Sequence, residues 1–358
     1  MTFDELIQTL GAWLAGTGPQ AEIVLSSRVR LARNLAHVPF VLRANAAALE
    51  DVLTRTQEVV PSTTAFREGL FLRVTDLSEV DRQLLVERRL MSREHMTQPQ
   101  GRALAISPGE AASLMINEED HLRLQAMQSG FNLRAAWETS NQIDDELSER
   151  LPIAYSSELG YLTCCPTNTG TGLRASVMMH LPALVLTKQI NKVLQAIAKL
   201  SLTARGFSGE GTEASGNFFQ ISNQVTLGQE EEDLIENLER VIVQVMEHER
   251  NAREALYTQD RVRLEDRISR AFGVLRTAYI ISSAEAIDLL SAVRLGVDMG
   301  FITQVDRRLV NELFLFTQPA HLQKLEGKKL GTTERDAKRA ALIRQRLGGN
   351  SAPGASHV

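Results

Sequence analysis

Two hydrophobic periods run along this chain, and the place where one gives way to the other divides it. From Ile23 to Arg33 apolar and polar residues alternate, the pattern of a half-buried strand. Gly69 to Leu77 alternates likewise, with Leu70, Leu72 and Val74 set against Phe71 and Arg73, and Phe218 to Val225 reads as a last strand. Between them helices are expected at 3–14, 45–60, 132–151 and 186–202, with short strand-like runs over 102–127 and a strand or hairpin over 153–163. Ser78-Glu79-Val80-Asp81 reads as a capping box that opens a helix running toward Leu90.

After Gly228 the period of two disappears. Glu230 to Tyr257 carries apolar residues at 234, 238, 241 and 245, the spacing of one helix face, and further helices are expected at 261–280, 284–295, 305–316 and 334–347. The expected organisation is α+β: a mixed domain over 1–228, an all-helical domain over 229–347, and a tail over 348–358 whose Gly, Ser, Ala and Pro supply no core and predict disorder.

Composition narrows the function without naming it. A chain of 358 residues is too long for one small core, and 43% hydrophobic with 23% charged is ordinary for a globular protein. A net charge of -5 leaves no electrostatic footprint for nucleic acid. The longest apolar run, Val177 to Leu186, is interrupted by His180 and Pro182 and is too short to span a bilayer. Asp4 and Glu5 stand where a secretory signal carries basic residues, so a cytoplasmic location is expected. The only cysteines, Cys164 and Cys165, are adjacent, which excludes a disulfide framework.

The chemistry-bearing residues cluster in a few short runs. No Gly-x-x-x-x-Gly-Lys-Ser/Thr loop, no His-Arg-Asp loop and no zinc spacing is present. A nucleotide would therefore need another phosphate cradle, and arginine is the candidate. Of 39 basic residues, 32 are Arg and 7 are Lys, an excess that codon usage alone can produce. Five stand at punctuated places: Arg28 and Arg30, two apart on the first strand; Arg123, closing Asn117-Glu118-Glu119-Asp120-His121-Leu122; Arg174, closing the Gly170-Thr171-Gly172 run; and Arg205, before a Gly-rich stretch over 206–216 that is long enough to act as a lid. Together they suit the charge of a transferring phosphoryl group. The residues alone leave open five solvated or ion-paired arginines.

Glu118 and Glu119, with Glu210 in the Gly-rich stretch, are the candidate carboxylates. A guanidinium, with a pKa above ~12, becomes a nucleophile only as a proton leaves, and a carboxylate both binds it and takes that proton. Cys165 reads either as a thiolate beside arginines or as a small buried hydrophobe, and Cys164 as the latter. The acidic run read by itself is equally a solvated loop.

In combination these runs resemble the phosphagen (guanidino) kinase family. Ser26-Ser27-Arg28-Val29-Arg30, Asn117 to Arg123, Cys165-Pro166-Thr167-Asn168 followed by Gly170-Thr171-Gly172-Leu173-Arg174-Ala175-Ser176, and the block from Arg205 to Asn223 occur in that family's order over residues 26–228. The resemblance implies a catalytic core built on a curved, mostly antiparallel sheet flanked by helices. It also implies transfer of the γ-phosphoryl of Mg-ATP to a guanidinium. By resemblance Arg28, Arg30, Arg123, Arg174 and Arg205 bind ATP, Glu119 is the principal catalytic carboxylate with Glu118 beside it and Glu210 its partner, and Cys165 is the active-site cysteine. Mg2+ is held mainly through the nucleotide phosphates.

Departures bear on the acceptor. Creatine and free-arginine kinases carry a whole helical domain before Ser26-Ser27-Arg28-Val29-Arg30, where this chain has 25 residues, and here a helical region follows the core instead. That arrangement is similar to the bacterial protein arginine kinases. Arg335-Asp336-Ala337-Lys338-Arg339-Ala340 matches their motif for sensing phosphoarginine, which implies an allosteric site at Arg335, Asp336, Arg339 and Ala340. An alternative is that Asp336 only caps a helix through a box at Thr333. The implied partners are proteins with accessible arginines, a second copy of the chain, an activator of the McsA type and a ClpC unfoldase in heat-shock quality control, with no nucleic acid and no membrane. A kinase of free arginine and an inactive phosphoarginine-binding adaptor are the alternative readings. Where relatives often carry a histidine near the ATP site, this chain has Arg88 and Arg89.

Overall fold

The computed structural model describes residues 1–206 and 215–348. The chain divides into two compact units: Met1–Met179 with Leu194–Ala204 and Gln220–Gln244, and His180–Val193 with Arg205–Phe219 and Val245–Val358. Up to the first long strand pairings the elements are α1 (Phe3–Gln8), β1 (Val24–Arg33), α2 (Ala46–Val59), β2 (Leu70–Arg73), α3 (Glu79–Glu87), α4 (Arg93–Thr97), β3 (Ala103–Ile106), β4 (Ala112–Ile116) and β5 (Leu122–Ser129). Then come α5 (Leu133–Ser148), the two-residue strands β6 (Tyr155–Ser156) and β7 (Gly160–Tyr161), β8 (Leu173–His180), α6 (Pro182–Leu186), α7 (Ile190–Lys199), β9 (Leu202–Gly206) and β10 (Phe218–Asn223). The rest is helical: α8 (Glu231–Gln259), α9 (Arg261–Thr277), α10 (Ser283–Asp298), α11 (Arg307–Phe316), α12 (Pro319–Glu326) and α13 (Thr332–Arg346).

Eight strands form one sheet in the order β2-β3-β4-β5-β1-β8-β10-β9. Every pair from β2 to β8 is antiparallel. This is the large sheet with flanking helices that the family resemblance implies. β3 and β4 are buried along their whole length, which explains why they read as short apolar runs rather than as alternating strands. β1 and β5 are packed by α5, whose Leu133, Ala136, Ile143 and Leu147 face inward at helical spacing.

Several local readings change. The expected helix over 3–14 stops at Gln8, and a short 3-10 turn at Ala12–Leu14 follows Gly11. The helix expected over 186–202 is shorter, α7 from Ile190 to Lys199, and Leu202 begins β9; ahead of it Pro182 sits in the first turn of α6, where its missing N–H costs nothing, and Lys188 takes a left-handed φ of 59° before α7 begins. The strand β8 runs from Leu173 into the apolar stretch that starts at Val177, where no strand was expected, and α12 was not expected either. Ser78 does cap α3, accepting from the Asp81 amide.

Buried ion pairs tie distant segments together. Arg88, wholly buried, hydrogen-bonds Glu110 and donates to the Thr9 carbonyl, while Trp13 donates to the same carboxylate at 3.4 Å. It therefore fastens the N-terminal arm to Glu110, beside the sheet. Burial pushes the Glu110 carboxyl pKa up, and Arg88 opposes that shift. In the helical unit the Glu249 carboxylate accepts the Ala183 and Leu184 amides at 3.1 and 3.0 Å, satisfying the first N–H groups of α6, which has no side-chain cap of its own. α13 begins at Thr332 behind Gly331, with no side-chain cap, so Asp336 is not a capping residue. No helix among the described residues is long and apolar enough to cross a membrane.

Arg88→Met leaves the Glu110 carboxylate buried without its cation, and should cost about 3–5 kcal/mol of unfolding free energy in denaturant titration. An unchanged midpoint would show that the pair contributes nothing.

Candidate active site

Register on the sheet gathers four of the sequence-predicted arginines. Arg28 and Arg30 alternate with the buried Val29 and Leu31 and so share one face of β1. Arg30 pairs directly with Arg174 of β8, and Arg28 with Ser176. On the other side Arg30 pairs with Gln125 of β5, and Ala32 with Arg123. Directly paired side chains lie on the same face, with Cβ atoms ~5 Å apart, where like charges repel. The four guanidiniums thus stand on one face of three adjacent strands.

The electrostatics record that crowding. Burial, then the charges of Arg89, Arg123 and Arg174, push the Arg28 pKa down to about 9. Burial and the charges of Arg28, Arg123 and Arg174 push Arg30 well below its usual range, against the pull of Glu118. A guanidinium holds its proton through such shifts, so they express a strongly positive potential rather than neutral arginines. Neutral acceptors share part of the load: Arg28 reaches Gln220 Oε1 at 3.0 Å and Ser176 Oγ at 3.4 Å. The buried Arg30 Nε has no hydrogen-bond partner among the described residues. This face is built to receive an anion with several oxygens.

Glu118 and Glu119 lie on the turn between β4 and β5. Asn117 makes the turn with φ of 60°, and its side-chain amide donates to Leu49 and Gly101 carbonyls at 2.8 and 2.7 Å. Glu118 is fully engaged, accepting from Arg123 at 2.5 Å, Ser92 at 2.6 Å and the Glu119 amide at 2.9 Å. Burial works against its ionisation, but the Arg123 charge and these hydrogen bonds prevail and hold its pKa down to about 2. Glu119 differs. Burial raises its pKa, Asp120 and Glu118 add to the rise, and Arg123 and a hydrogen bond with Cys165 oppose it. Neighbouring carboxylates pushed in opposite directions suit different work: Glu118 a fixed charge, Glu119 a proton acceptor.

Cys165 sits on the loop before β8, its sulfur 3.0 Å from Thr167 Oγ1. That loop is tied down at many points. Arg33 makes a buried pair with Asp144 at 2.8 Å, donates to the Thr171 carbonyl at 2.9 Å, and stacks 3.4 Å from the Tyr161 ring centroid. Thr226 Oγ1 donates to the Thr167 and Thr169 carbonyls. Gly172, with φ of 65°, has no room for a side chain, because an added Cβ would lie 2.5 Å from Arg33 Nη1. None of Arg33, Asp144 or Tyr161 was legible as part of the site; the only signal was Arg33 at the end of the alternating run.

The family models match this arrangement. Residues 51–252 match the ATP:guanido phosphotransferase C-terminal catalytic domain, and residues 261–357 match the protein-arginine kinase McsB C-terminal domain. A protein-arginine kinase of Halothermothrix orenii is 50% identical over 348 residues, covering 97% of this chain and 99% of that one. The chain belongs to the protein-arginine kinases of the ATP:guanido phosphotransferase family. A protein-arginine kinase of Bacillus subtilis is 45% identical over 353 residues, covering 97% of this chain and 96% of its own. Among solved structures, lombricine kinase superposes with a TM-score of 0.58 at 23% identity, covering 68% of this chain and 69% of that one, a likeness of fold. The duplicated taurocyamine kinase of Schistosoma mansoni, with bound transition-state analogue components, gives 0.60 at 25% identity over 78% of this chain and 41% of its own.

The phosphotransferase family implies ATP use, and the remaining candidates fall in different places. Arg205 is exposed on β9. Glu210, and most of the stretch read as a lid, lie outside the described residues, as does nearly all of the tail. Arg335, Asp336, Arg339 and Ala340 are on α13 in the helical unit. Arg339 is buried and donates to the Thr317 and Ile281 carbonyls at 2.8 Å each and to Asp336 at 2.5 Å. Arg335 is half-buried, with contacts to the Leu330 carbonyl at 3.3 Å and Thr332 at 3.4 Å. Arg89 was set aside in the sequence, yet its charge is the largest acting on Arg28.

Burial and the neighbouring Asp120 push the Cys164 thiol up to about 12. Iodoacetamide at about pH 8 should therefore label Cys165 and spare Cys164, since the thiolate is the reacting form. Peptide mass spectrometry decides this, and equal labelling of both would contradict the assignment.

Proposed function

We propose that the protein is an ATP-dependent protein-arginine kinase acting through this site. The observation that carries the reading is the meeting of a four-arginine face with the Glu119–Cys165 pair at the adjoining turn. Arg28, Arg30, Arg123 and Arg174 hold the triphosphate, with Arg205 as a fifth. Arg123, fixed by Glu118, spans the two halves of the site. Glu119 binds the acceptor guanidinium and aligns one nitrogen on the γ-phosphorus, and Cys165 adds a polar contact. As the N–P bond forms and the bond to the leaving oxygen breaks, the proton on that nitrogen passes to the Glu119 carboxylate and ADP departs. Glu210 is the second carboxylate. Mg2+, carried by the nucleotide phosphates, supplies charge neutralisation.

In the helical unit the buried Arg339 donates to the Asp336 carboxylate, and the half-buried Arg335 is its neighbour in sequence. This suits phosphoarginine, with Arg335 toward the phosphate, Asp336 toward the guanidinium and Ala340 packed beneath. The domain over 229–347 would then combine sensing with dimerisation. The reading extends to a cytoplasmic role in stress quality control, marking proteins for an unfoldase such as ClpC with an activator of the McsA type.

The purified chain with Mg-ATP should phosphorylate arginines of casein, detected at neutral pH because the P–N bond is acid-labile. Glu119→Gln should lower kcat by about 100-fold or more with little change in KM for ATP. Phosphate on free arginine alone would select a small-molecule kinase, and an unaffected Glu119→Gln would remove the base assignment. Asp336→Ala should abolish both phosphoarginine binding, measured by calorimetry, and any stimulation by it; retention of both would refute the sensing site.

A further inference from the structure

The geometry points to Asp120 and Asn34 as positioning residues that set the distance between Glu119 and Cys165. Asp120 is buried at 2% exposure and Asn34 at 0%. Asp120 Oδ1 accepts from the Cys164 backbone amide at 2.6 Å and from Asn34 Nδ2 at 2.6 Å. Asn34 uses its remaining capacity in the same place. Its Nδ2 also donates to the Leu162 carbonyl at 3.0 Å, its Oδ1 accepts the His121 amide at 2.9 Å, and its carbonyl accepts the Ala154 amide at 2.7 Å. His121 closes the circuit, with Nδ1 accepting the Leu35 amide at 3.0 Å.

The placement is what gives the cluster a role. Asp120 is the residue after Glu119, and Cys164 the residue before Cys165. One hydrogen bond between Asp120 and the Cys164 amide therefore fixes the turn bearing the carboxylate against the loop bearing the thiol. Asn34 directly follows Arg33, the end of β1, and β1 carries Arg28 and Arg30. The clamp thus refers both guanidinium-side groups to the strand that carries the phosphate-side arginines. Neither Asp120 nor Asn34 need touch a substrate. Their effect is on alignment, where a displacement of ~1 Å costs about 100-fold in rate.

This inference rests on the proposed guanidinium site, and its test separates the two. Asp120→Ala should lower kcat for casein by about 100-fold while KM for ATP stays within about twofold, because the arginine face is held by strand register. Asp120→Asn keeps an acceptor oxygen in the same position and should stay within about threefold of the parent rate. The Asn34→Ala, Asp120→Ala double variant should be no slower than the slower single variant, since both remove one clamp. Melting temperature and the stabilisation given by ATP are read for each protein. If Asp120→Ala does not fold, Asn34→Asp, which replaces the donor to Asp120 and to the Leu162 carbonyl by a carboxylate oxygen, must show the same loss of kcat. Cys165 alkylation by iodoacetamide reads the clamp without any acceptor: its rate should change several-fold in Asp120→Ala and not in Asp120→Asn. A parent enzyme inactive on arginine defeats the functional reading, and the alkylation rates still decide the clamp. Unchanged kcat and alkylation in Asp120→Ala, additive losses in the double variant, or Asp120→Asn as impaired as Asp120→Ala would each overturn it.

Discussion

Repulsion among Arg28, Arg30, Arg123 and Arg174 is the constraint that the catalytic half of the molecule is built to withstand. Strand pairing sets Arg30 directly against Arg174 and brings Arg123 diagonally across from it. Such a face lowers stability while no anion is bound, and the surrounding structure offsets it. β3 and β4 are buried along their length, α5 covers β1 and β5, and Glu118 neutralises Arg123 inside the cluster. On the proposed function preorganisation follows, because guanidiniums held by a sheet need not be gathered when a triphosphate arrives.

The proposed acceptor side is organised by different physics. Its groups lie on turns and loops, which have no ladder to hold them, so buried polar side chains take that part. Arg33 with Asp144 and Tyr161 holds the loop before β8, while Asp120 and Asn34 tie its start to the turn at Glu119. Each of these side chains satisfies several hydrogen bonds at once, and a buried network of this kind specifies one arrangement because any partial version leaves groups unpaired.

The helical half shows the same economy on a smaller scale. Arg339 reaches the carbonyls of Thr317 and Ile281, which end and precede helices, and orients Asp336 in passing. A motif that looks like a surface signature is anchored by a residue at 1% exposure. Its arginines differ accordingly, Arg335 turned partly outward and Arg339 internal.

By itself the sequence determined the ordering of chemistry along the chain: alternation at Arg28 and Arg30, the paired carboxylates at Glu118 and Glu119, the run around Cys165, and a helical region after Gly228. These are local signals, carried by side-chain period and by neighbours within a few residues. Only the tertiary structure decided which of them share a face, because register between β1, β5 and β8 depends on pairing between segments far apart in the chain, Ala32 with Arg123 and Arg30 with Arg174. It also separated residues that look alike in sequence. Arg88 and Arg89 are adjacent, yet one is locked to Glu110 and the other adds to the field on Arg28. Glu118 and Glu119 are adjacent, yet Arg123 and Ser92 hold one ionised while burial raises the pKa of the other. Burial and partner, rather than residue type, assign those roles, and neither is a property of a short stretch of chain.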